Sequence, residues 1–149
     1  MLKMVISAFF ATIGFAVMFN IRGKKLFYSA LGGCVGAFFY YVCLHILKFD
    51  NFISLFWASV GLALYSEIMA RRLKAPVTVF AICALICFVP GGGMYYTMLA
   101  IVNNNNMEAL TLLIDTLAQA GALALGIVFV STLTKAYYRI KNRMREKTL

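Results

Sequence analysis

Two carboxylates inside long apolar stretches, Asp115 and Glu67, are the residues best placed to do chemistry. A carboxylate is costly in hydrocarbon, so by default it faces a cavity or pairs with another group. Asp115 lies about 12 Å along a helix from the start of its stretch, where the chain offers no Lys or Arg. Because apolar surroundings favour the neutral form of an unpaired carboxylate, Asp115 is a candidate for coupling solute movement to a proton gradient. The alternative is a structural acid that hydrogen-bonds to a neighbouring helix or a partner chain.

Other polar residues are candidates for the same pathway. Glu67 lies four residues before Arg71, so an exposed ion pair between helical turns is the simpler interpretation, and a second proton-coupling group is the alternative. Asn20 ends the first apolar stretch and is either a helix cap or a polar pathway residue. Gln119 is a substrate-binding candidate because it shares a helical face with Asp115. The small and polar residues of that face also include Thr111, Ala118, Ala122 and Gly126.

The segment 90–93, Pro-Gly-Gly-Gly, interrupts an apolar stretch. Proline lacks the backbone N–H and glycine has a low helix propensity, so the segment predicts an unwound turn between two half-helices. Unwound backbone inside a membrane must be buried in protein or line a cavity, and the free N–H groups that begin the second half-helix suit a substrate carboxylate. The alternative is a simple kink or a surface loop. The substrate-binding candidates here are Pro90, Gly91, Gly92, Gly93, Tyr95 and Tyr96.

Enzyme signatures are absent from the sequence. It contains a single His, with no Ser–His–Asp set, Cys–His pairing or metal-ligand spacing. The cysteines all lie in apolar segments, which favours a packing role over a disulfide framework or a zinc site. They are Cys34, Cys43, Cys83 and Cys87. We therefore expect neither catalysis nor a metal or cofactor.

The composition indicates what must position these residues. The chain has 149 residues, of which 63% are hydrophobic and 13% charged, with a mean hydropathy of +0.87. A soluble domain is about 45–50% apolar and about 25% charged, so a soluble enzyme or a disordered chain is excluded and an integral membrane protein remains. The net charge of +9 lies in short clusters between apolar stretches, which favours membrane topology over nucleic-acid binding.

Apolar stretches of spanning length predict an all-α polytopic helix bundle that forms a single transmembrane domain over residues 1–149. Within the second stretch, Gly32 and Gly36 have the spacing that lets another helix approach closely, although membrane helices also tolerate glycine generally. The five predicted spans are residues 2–21, 26–47, 52–70, 76–102 (broken near 90–93) and 107–134.

The distribution of Lys and Arg predicts the orientation of the bundle. Basic residues cluster in the link after the first stretch, in the link after the third, and in residues 135–149. Only Lys3 and Lys48 fall on the other side. Because basic loops stay cytoplasmic, we expect the N-terminus outside and residues 135–149 as a basic cytoplasmic tail that can touch anionic lipids.

Three motifs in the same chain order carry a resemblance to a known family. They are GFAVMFN at residues 14–20, EIMARRLKAP at residues 67–76 and FVPGGGMY at residues 88–95. In this order the motifs resemble the threonine/serine exporter family, in the split form whose small membrane subunit is separate from a larger one. The resemblance covers nearly the whole chain. It implies export of threonine and serine, or of dicarboxylates such as succinate for some split members, and a larger membrane subunit as partner.

These features together favour one half of a proton-coupled exporter in a bacterial inner membrane. Five spans are few for a complete transporter, and an odd number precludes an internal repeat of whole helices, so a partner subunit or a homo-oligomer is expected. The competing hypothesis is a scaffold subunit that assembles with the larger partner and never contacts substrate.

Overall fold

The computed structural model describes residues 1–146, which are all-helical with no strand among them. The predicted all-α class is confirmed for this part of the chain. Residues 147–149 of the predicted tail lie outside the described residues. The helices are α1 (Leu2–Met18), α2 (Lys24–Tyr41, continued by a π-helical turn, Val42–Ile46), α3 (Asn51–Arg72), α4 (Val77–Ile86), α5 (Gly91–Val102) and α6 (Asn106–Glu146).

Helix α2 lies at the centre of the bundle, in contact with α1, α3 and α4. Its glycines allow these close approaches. A Cβ at Gly32 would lie 3.4 Å from the Tyr65 ring, and a Cβ at Gly36 would lie 2.8 Å from the Phe88 ring. Gly33 packs against Thr12 of α1. The predicted close approach at Gly32 and Gly36 is therefore present, and it brings α3 and the end of α4 onto α2.

Helices α3 and α6 pack side by side and run in the same direction. Gly126 of α6 lies against Ser59 of α3, and Val130 packs with Val60 and Ala63 one turn further along both helices. Glycine is needed at this crossing because a Cβ there would also lie 2.9 Å from the Phe56 carbonyl oxygen. The α3–α6 contact fixes the C-terminal part of α6 on the bundle.

The three basic segments lie at one end of the bundle. Tyr28 near the start of α2, Ala70 at the end of α3 and Phe80 near the start of α4 belong to one apolar cluster. At the same end, the Arg71 guanidinium carbon lies 3.9 Å from the centroid of the Tyr138 ring of α6. The links after α1 and α3 and the C-terminal part of α6 are therefore neighbours.

The helix break occurs earlier than the sequence predicts. Helices α4 and α5 meet at a bend of 48°, and the non-helical residues are 87–90. Gly91, Gly92 and Gly93 form the first turn of α5 instead of an unwound turn, which corrects the predicted position. The physical reason lies in Pro90, whose missing N–H is tolerated at a helix start, so that α5 begins directly after it.

Helix α5 and the first part of α6 form a separate hairpin, residues 91–120, called here the α5–α6 hairpin. Among the described helices, α5 packs against α6 alone. Gly93 lies against Thr116, which closes the base of the hairpin. Most other side chains of the hairpin are exposed in this chain, among them Met94, Met98, Val102, Met107, Ile114 and Leu117.

By length and composition, three described helices are able to cross a membrane: Lys24–Ile46, Asn51–Arg72 and Asn106–Ile140. The bent pair Val77–Ile86 and Gly91–Val102 is a fourth candidate, either as a broken span or as a re-entrant loop. Helix α1 is apolar but shorter, with 17 residues, or about 26 Å against a hydrocarbon thickness of about 30 Å. Helix α6 runs without interruption from the predicted fifth span into the predicted tail.

Candidate functional site

A cavity of about 400 Å³ lies among five helices, and we call it the five-helix cavity. Helices α1, α2, α3 and α6 form its sides, and Cys87 and Phe88, which directly follow α4, complete the wall. Its apolar lining includes Met4, Leu55 and Phe88. Its polar lining comprises Ser7, Tyr40, Asn51 and Gln119, together with the thiol of Cys87. A cavity of this size, with a mostly apolar lining and a few polar groups, is a candidate solute site.

One hydrogen bond fixes the side of the cavity formed by α2 and α3. The Tyr40 hydroxyl donates to Oδ1 of Asn51 at 2.7 Å. Asn51 is the first residue of α3, and Tyr40 directly precedes the last residue of α2, so the bond joins two helix ends. Within the described part of the chain, the Nδ2 group of Asn51 and the amide of Gln119 make no protein hydrogen bond. These two amides remain available to a solute.

The break after α4 shapes the opposite wall. Phe88, in the non-helical segment, packs its ring on Gly36, and the Cys87 Sγ lies 3.4 Å from the Thr12 Oγ1. Both side chains thus contact α1 and α2 directly after the end of α4. The break therefore contributes to the cavity through residues that precede Pro90.

The structure brings one of the predicted substrate-binding residues, Gln119, into the five-helix cavity. Gly91 and Gly92 are exposed, and a Cβ added at either of them would meet no atom within 4 Å, whereas Gly93 faces Thr116. Tyr95 and Tyr96 lie outside the five-helix cavity, with 64% and 58% of their surface exposed, and Tyr96 lines a separate crevice between α5 and α6. Pro90 is half-buried beside a crevice between α4 and α6.

Asn20 lies outside the five-helix cavity, at the other end of α1. Its φ of 57° is left-handed, and the N–H of Ile21 donates to the Ala16 carbonyl at 2.9 Å, which is a common way for a helix to end. The Asn20 Oδ1 accepts a hydrogen bond from Arg22 Nε at 2.9 Å. The cap interpretation therefore describes what Asn20 does in this structure.

Asp115 is exposed on the α5–α6 hairpin. It lies one helical turn before Gln119 on α6. Gln119 lines the five-helix cavity together with Asn51, the first residue of α3, so Asp115 lies about one turn outside the end of α3. The one ion pair among the described residues joins Glu67 to Arg71, so Asp115 has no cationic partner within that part of the chain. The face predicted around Asp115 is divided, because Gly126 is buried against α3 while Thr111 and Asp115 are exposed.

Glu67 forms the predicted pair with Arg71, at 2.9 Å between Oε2 and Nη2. The expectation of an exposed pair needs correction, because the Glu67 residue is only 7% exposed. The physical reason is the packing of α6 over this end of α3, where Tyr138 covers Arg71. Glu67 also lines a second cavity, of about 360 Å³, together with Thr78, Ser131 and Lys135.

Sequence reasoning missed most of the five-helix cavity. Ser7 and Tyr40 lie singly within apolar or aromatic runs, and Asn51 reads as part of a short polar link. Residue spacing within one helix does not predict contacts between distant helices, so the contact of α1 with the end of α4 could not be predicted from the sequence. No group of three or more metal-binding side chains occurs among the residues that the structure describes.

Several helices that are long and apolar enough to cross a membrane indicate a polytopic membrane protein. The sequence model of the family described as "Threonine/Serine exporter, ThrE" matches residues 4–133, which run from α1 through most of α6. The chain therefore belongs to the threonine/serine exporter family, a family of transporters and not of enzymes. The match includes the five-helix cavity and both candidate carboxylates.

The chain is also similar to one uncharacterized protein. An uncharacterized protein of Haemophilus influenzae is 26% identical over 152 residues, which cover 95% of this chain and 50% of the relative. The chain thus spans about half the length of this relative. No solved structure matches the chain significantly.

Proposed function

We propose that this chain is a subunit of a secondary transporter that exports small carboxylate-bearing metabolites, either threonine and serine or a dicarboxylate such as succinate. The observation that carries the proposal is the five-helix cavity, in which the amides of Asn51 and Gln119 lie next to the wall built by the helix break. Membership of the exporter family supports the same function.

In this proposal the chain crosses a bacterial inner membrane five times, with the N-terminus outside and the C-terminus in the cytoplasm. The neighbouring positions of the basic links after α1 and α3 and of the C-terminal part of α6 support this orientation, because basic segments stay on the cytoplasmic side. The relative in Haemophilus influenzae supports the bacterial location. Both α1 and the bent α4–α5 pair count as spans in this topology.

Proton coupling is assigned to Asp115, with Glu67 as the second candidate. Asp115 lies one turn from Gln119 and forms no ion pair among the described residues, so gain or loss of a proton there would change the charge one helical turn from the cavity lining. Glu67 is the buried carboxylate at the opposite end of the bundle. A carboxylate near each end of the cavity-bearing bundle suits a proton-driven cycle.

The partner in this proposal is a larger membrane subunit of the same family, with a homo-oligomer as the alternative. The exposed α5–α6 hairpin supports it, because a carboxylate such as Asp115 is costly when it faces hydrocarbon alone. The double length of the Haemophilus influenzae relative also supports a second half of the machinery. A scaffold subunit without substrate contact is the second candidate function, which the same exposed hairpin favours.

The test is efflux of labelled threonine, serine and succinate from host cells that carry or lack this chain, combined with native mass spectrometry of the complex extracted gently from the same membranes. The proposal expects faster efflux with the chain present, sensitivity to a proton ionophore, and a hetero-complex with a larger membrane protein. Efflux that does not depend on the chain contradicts the exporter function. Photo-crosslinking with a substrate analogue separates the two candidates, since a scaffold leaves all the label on the partner.

A further inference from the structure

We infer that a groove between α4 and α6 binds one anionic phospholipid of the membrane leaflet at the basic end of the bundle. The groove consists of the second cavity and of the crevice beside Pro90, and we call it the α4–α6 groove. It shares no lining residue with the five-helix cavity, and the inference does not depend on which solute the chain exports. It also differs from a general contact between basic residues and the membrane, because it requires one lipid in one place.

The α4–α6 groove exists because α4 and α6 pack on the same helix but not on each other. Helix α3 packs against both of them, whereas α4 and α6 do not pack against each other in the part of the chain that the structure describes. Ala63 and Glu67 of α3 therefore lie between the two walls of the second cavity. Leu85 of α4 and Ile127 of α6 line both the second cavity and the crevice, so the two spaces follow each other along one groove.

The groove is apolar along most of its length and polar at one end. Every residue that lines the crevice is apolar, and all of them lie in the described part of the chain. The polar lining belongs to the second cavity and comprises Glu67, Thr78, Ser131 and Lys135. Lys135 lies about one turn before Tyr138, so this lining is at the basic end of the bundle. An apolar groove with polar groups at one end matches a phospholipid, whose acyl chain is apolar and whose headgroup is polar.

The length of the groove matches one leaflet of a bilayer. Ala120 lines one end and Lys135 the other, and these two residues are about 22 Å apart along α6. A bilayer with its headgroups is about 40–45 Å thick, so one leaflet measures about 20–22 Å. With a phosphate beside Lys135, an acyl chain reaches the crevice beside Pro90. A partner helix, which is about 10–12 Å across, is a poorer match for a crevice of about 350 Å³.

The charges at the basic end favour a headgroup with a net negative charge. Glu67 is paired with Arg71 at 2.9 Å, so its charge is compensated within the protein. Lys135 forms no ion pair among the described residues, which leaves its ammonium group available to a lipid phosphate. The hydroxyls of Thr78 and Ser131 line the same cavity and are able to donate hydrogen bonds to that phosphate. Basic pockets between transmembrane helices bind anionic headgroups in this way.

The first test compares two lipids with identical acyl chains on the wild-type chain. The chain, with any subunit that co-purifies, is extracted in detergent and titrated with phosphatidylglycerol, which is anionic, or with phosphatidylcholine, which has no net charge. Native mass spectrometry counts the lipids that stay bound. We expect one phosphatidylglycerol per chain, held about fivefold more tightly than phosphatidylcholine, which corresponds to one cationic contact with an anionic lipid. Equal retention of the two lipids overturns the headgroup assignment.

A charge variant and its control test the headgroup end of the groove. Lys135→Gln removes the cation and should weaken retention of phosphatidylglycerol about fivefold, while retention of phosphatidylcholine stays the same. Lys24→Gln is the matched control, because Lys24 is exposed at the start of α2, at the same end of the bundle, and does not line the groove. An equal loss in both variants overturns the specific site, since the preference would then follow the overall charge of this end.

A second pair of variants tests the acyl end. Ala124→Phe places a ring in the crevice and should weaken retention of both lipids. Leu125→Phe is the control, since Leu125 is 66% exposed on the same helix and lines neither part of the groove. Unchanged retention in Ala124→Phe overturns the position of the acyl chain. Membrane levels of each variant are measured in parallel, and the comparison of lipids on the wild-type chain needs no substitution.

Photo-crosslinking in the host membrane identifies the occupant directly. A diazirine analogue of leucine replaces Val128, which lines the crevice, or Leu125, which does not. Label from position 128 on anionic phospholipid, in excess of the label from position 125, supports the inference. Label from position 128 on a second copy of the chain or on a partner subunit overturns it, as does an equal yield of anionic lipid from both positions.

Discussion

The body of the bundle and the α5–α6 hairpin differ in how their helices pack. In the body, formed by α1–α4 and the C-terminal part of α6, glycines and small residues bring helices into close contact, as Gly36 does with Phe88 and Gly126 with Ser59. The hairpin is held together by the contact of one helix with another, and its glycines Gly91 and Gly92 have no neighbour. In the body each helix packs against two or more others, whereas α5 of the hairpin packs against α6 alone among the described helices.

The contrast extends to the two carboxylates. Glu67 in the body is buried and paired with Arg71, while Asp115 in the hairpin is exposed and has no cationic partner in the described part of the chain. The neighbours of Glu67 neutralise its charge and shield it from solvent, so a structural role is sufficient to explain it. An exposed carboxylate without a cationic partner is available for a function or for a contact with another chain. Within the proposed function, this difference favours Asp115 over Glu67 as the coupling group.

The largest expected effect is the loss of efflux when Asp115 of the hairpin is replaced. Replacing Asp115 by Asn keeps the size of the side chain but removes its ability to exchange a proton, so Asp115→Asn should abolish proton-driven efflux. The measurement is threonine efflux at equal membrane levels of protein. Glu108→Gln on the same helix is the matched control and should retain efflux, because Glu108 is an exposed first-turn residue. Unchanged efflux in Asp115→Asn would remove the residue from the mechanism.

A second prediction compares two glycines of α6 directly. Gly126→Ala places a Cβ against Ser59 and 2.9 Å from the Phe56 carbonyl oxygen, so α3 and α6 must separate. Overpacking of this kind typically costs about 1–3 kcal/mol. Gly121→Ala meets no atom within 4 Å and should be neutral or stabilising by up to about 1 kcal/mol, because alanine favours the helix. Thermal unfolding in detergent measures both, and equal shifts would contradict the tight α3–α6 contact.

The body was the more predictable of the two regions. Long apolar stretches determine the helices, and the spacing of Gly32 and Gly36 signals a close approach, because both signals are local in sequence. The position of the break was predicted to within a few residues, since Pro90 dominates the local backbone. The glycines after it were expected to unwind, yet they continue as a helix once Pro90 has started the turn.

The candidate site was less predictable because it is assembled from distant segments. Ser7, Tyr40 and Asn51 carry no motif, and they meet Gln119 only when α1, α2, α3 and α6 have packed. The burial of Glu67 likewise depends on α6 passing over α3, which a pairing rule for residues four apart does not contain. Exposure of Asp115 is also a tertiary property. The sequence shows which polar side chains are present, but their burial and their partners depend on how the helices pack.

The smallest expected effect concerns the contact between Arg71 of α3 and Tyr138 of α6, at the end of the bundle where the basic segments lie. Tyr138→Leu removes the aromatic face under Arg71 and should lower the free energy of unfolding by about 0.5–1 kcal/mol, the usual size of a cation–π contact at a partly exposed site. Tyr137→Leu is the matched control, since the adjacent ring is exposed and lies under no described cation, and its effect should be close to zero. Chemical unfolding of both variants in detergent gives the difference. If Tyr137→Leu proves as destabilising as Tyr138→Leu, the contact with Arg71 is not what holds α6 to the end of α3, and the burial of Glu67 must come from the Gly126–Ser59 crossing further along the same two helices.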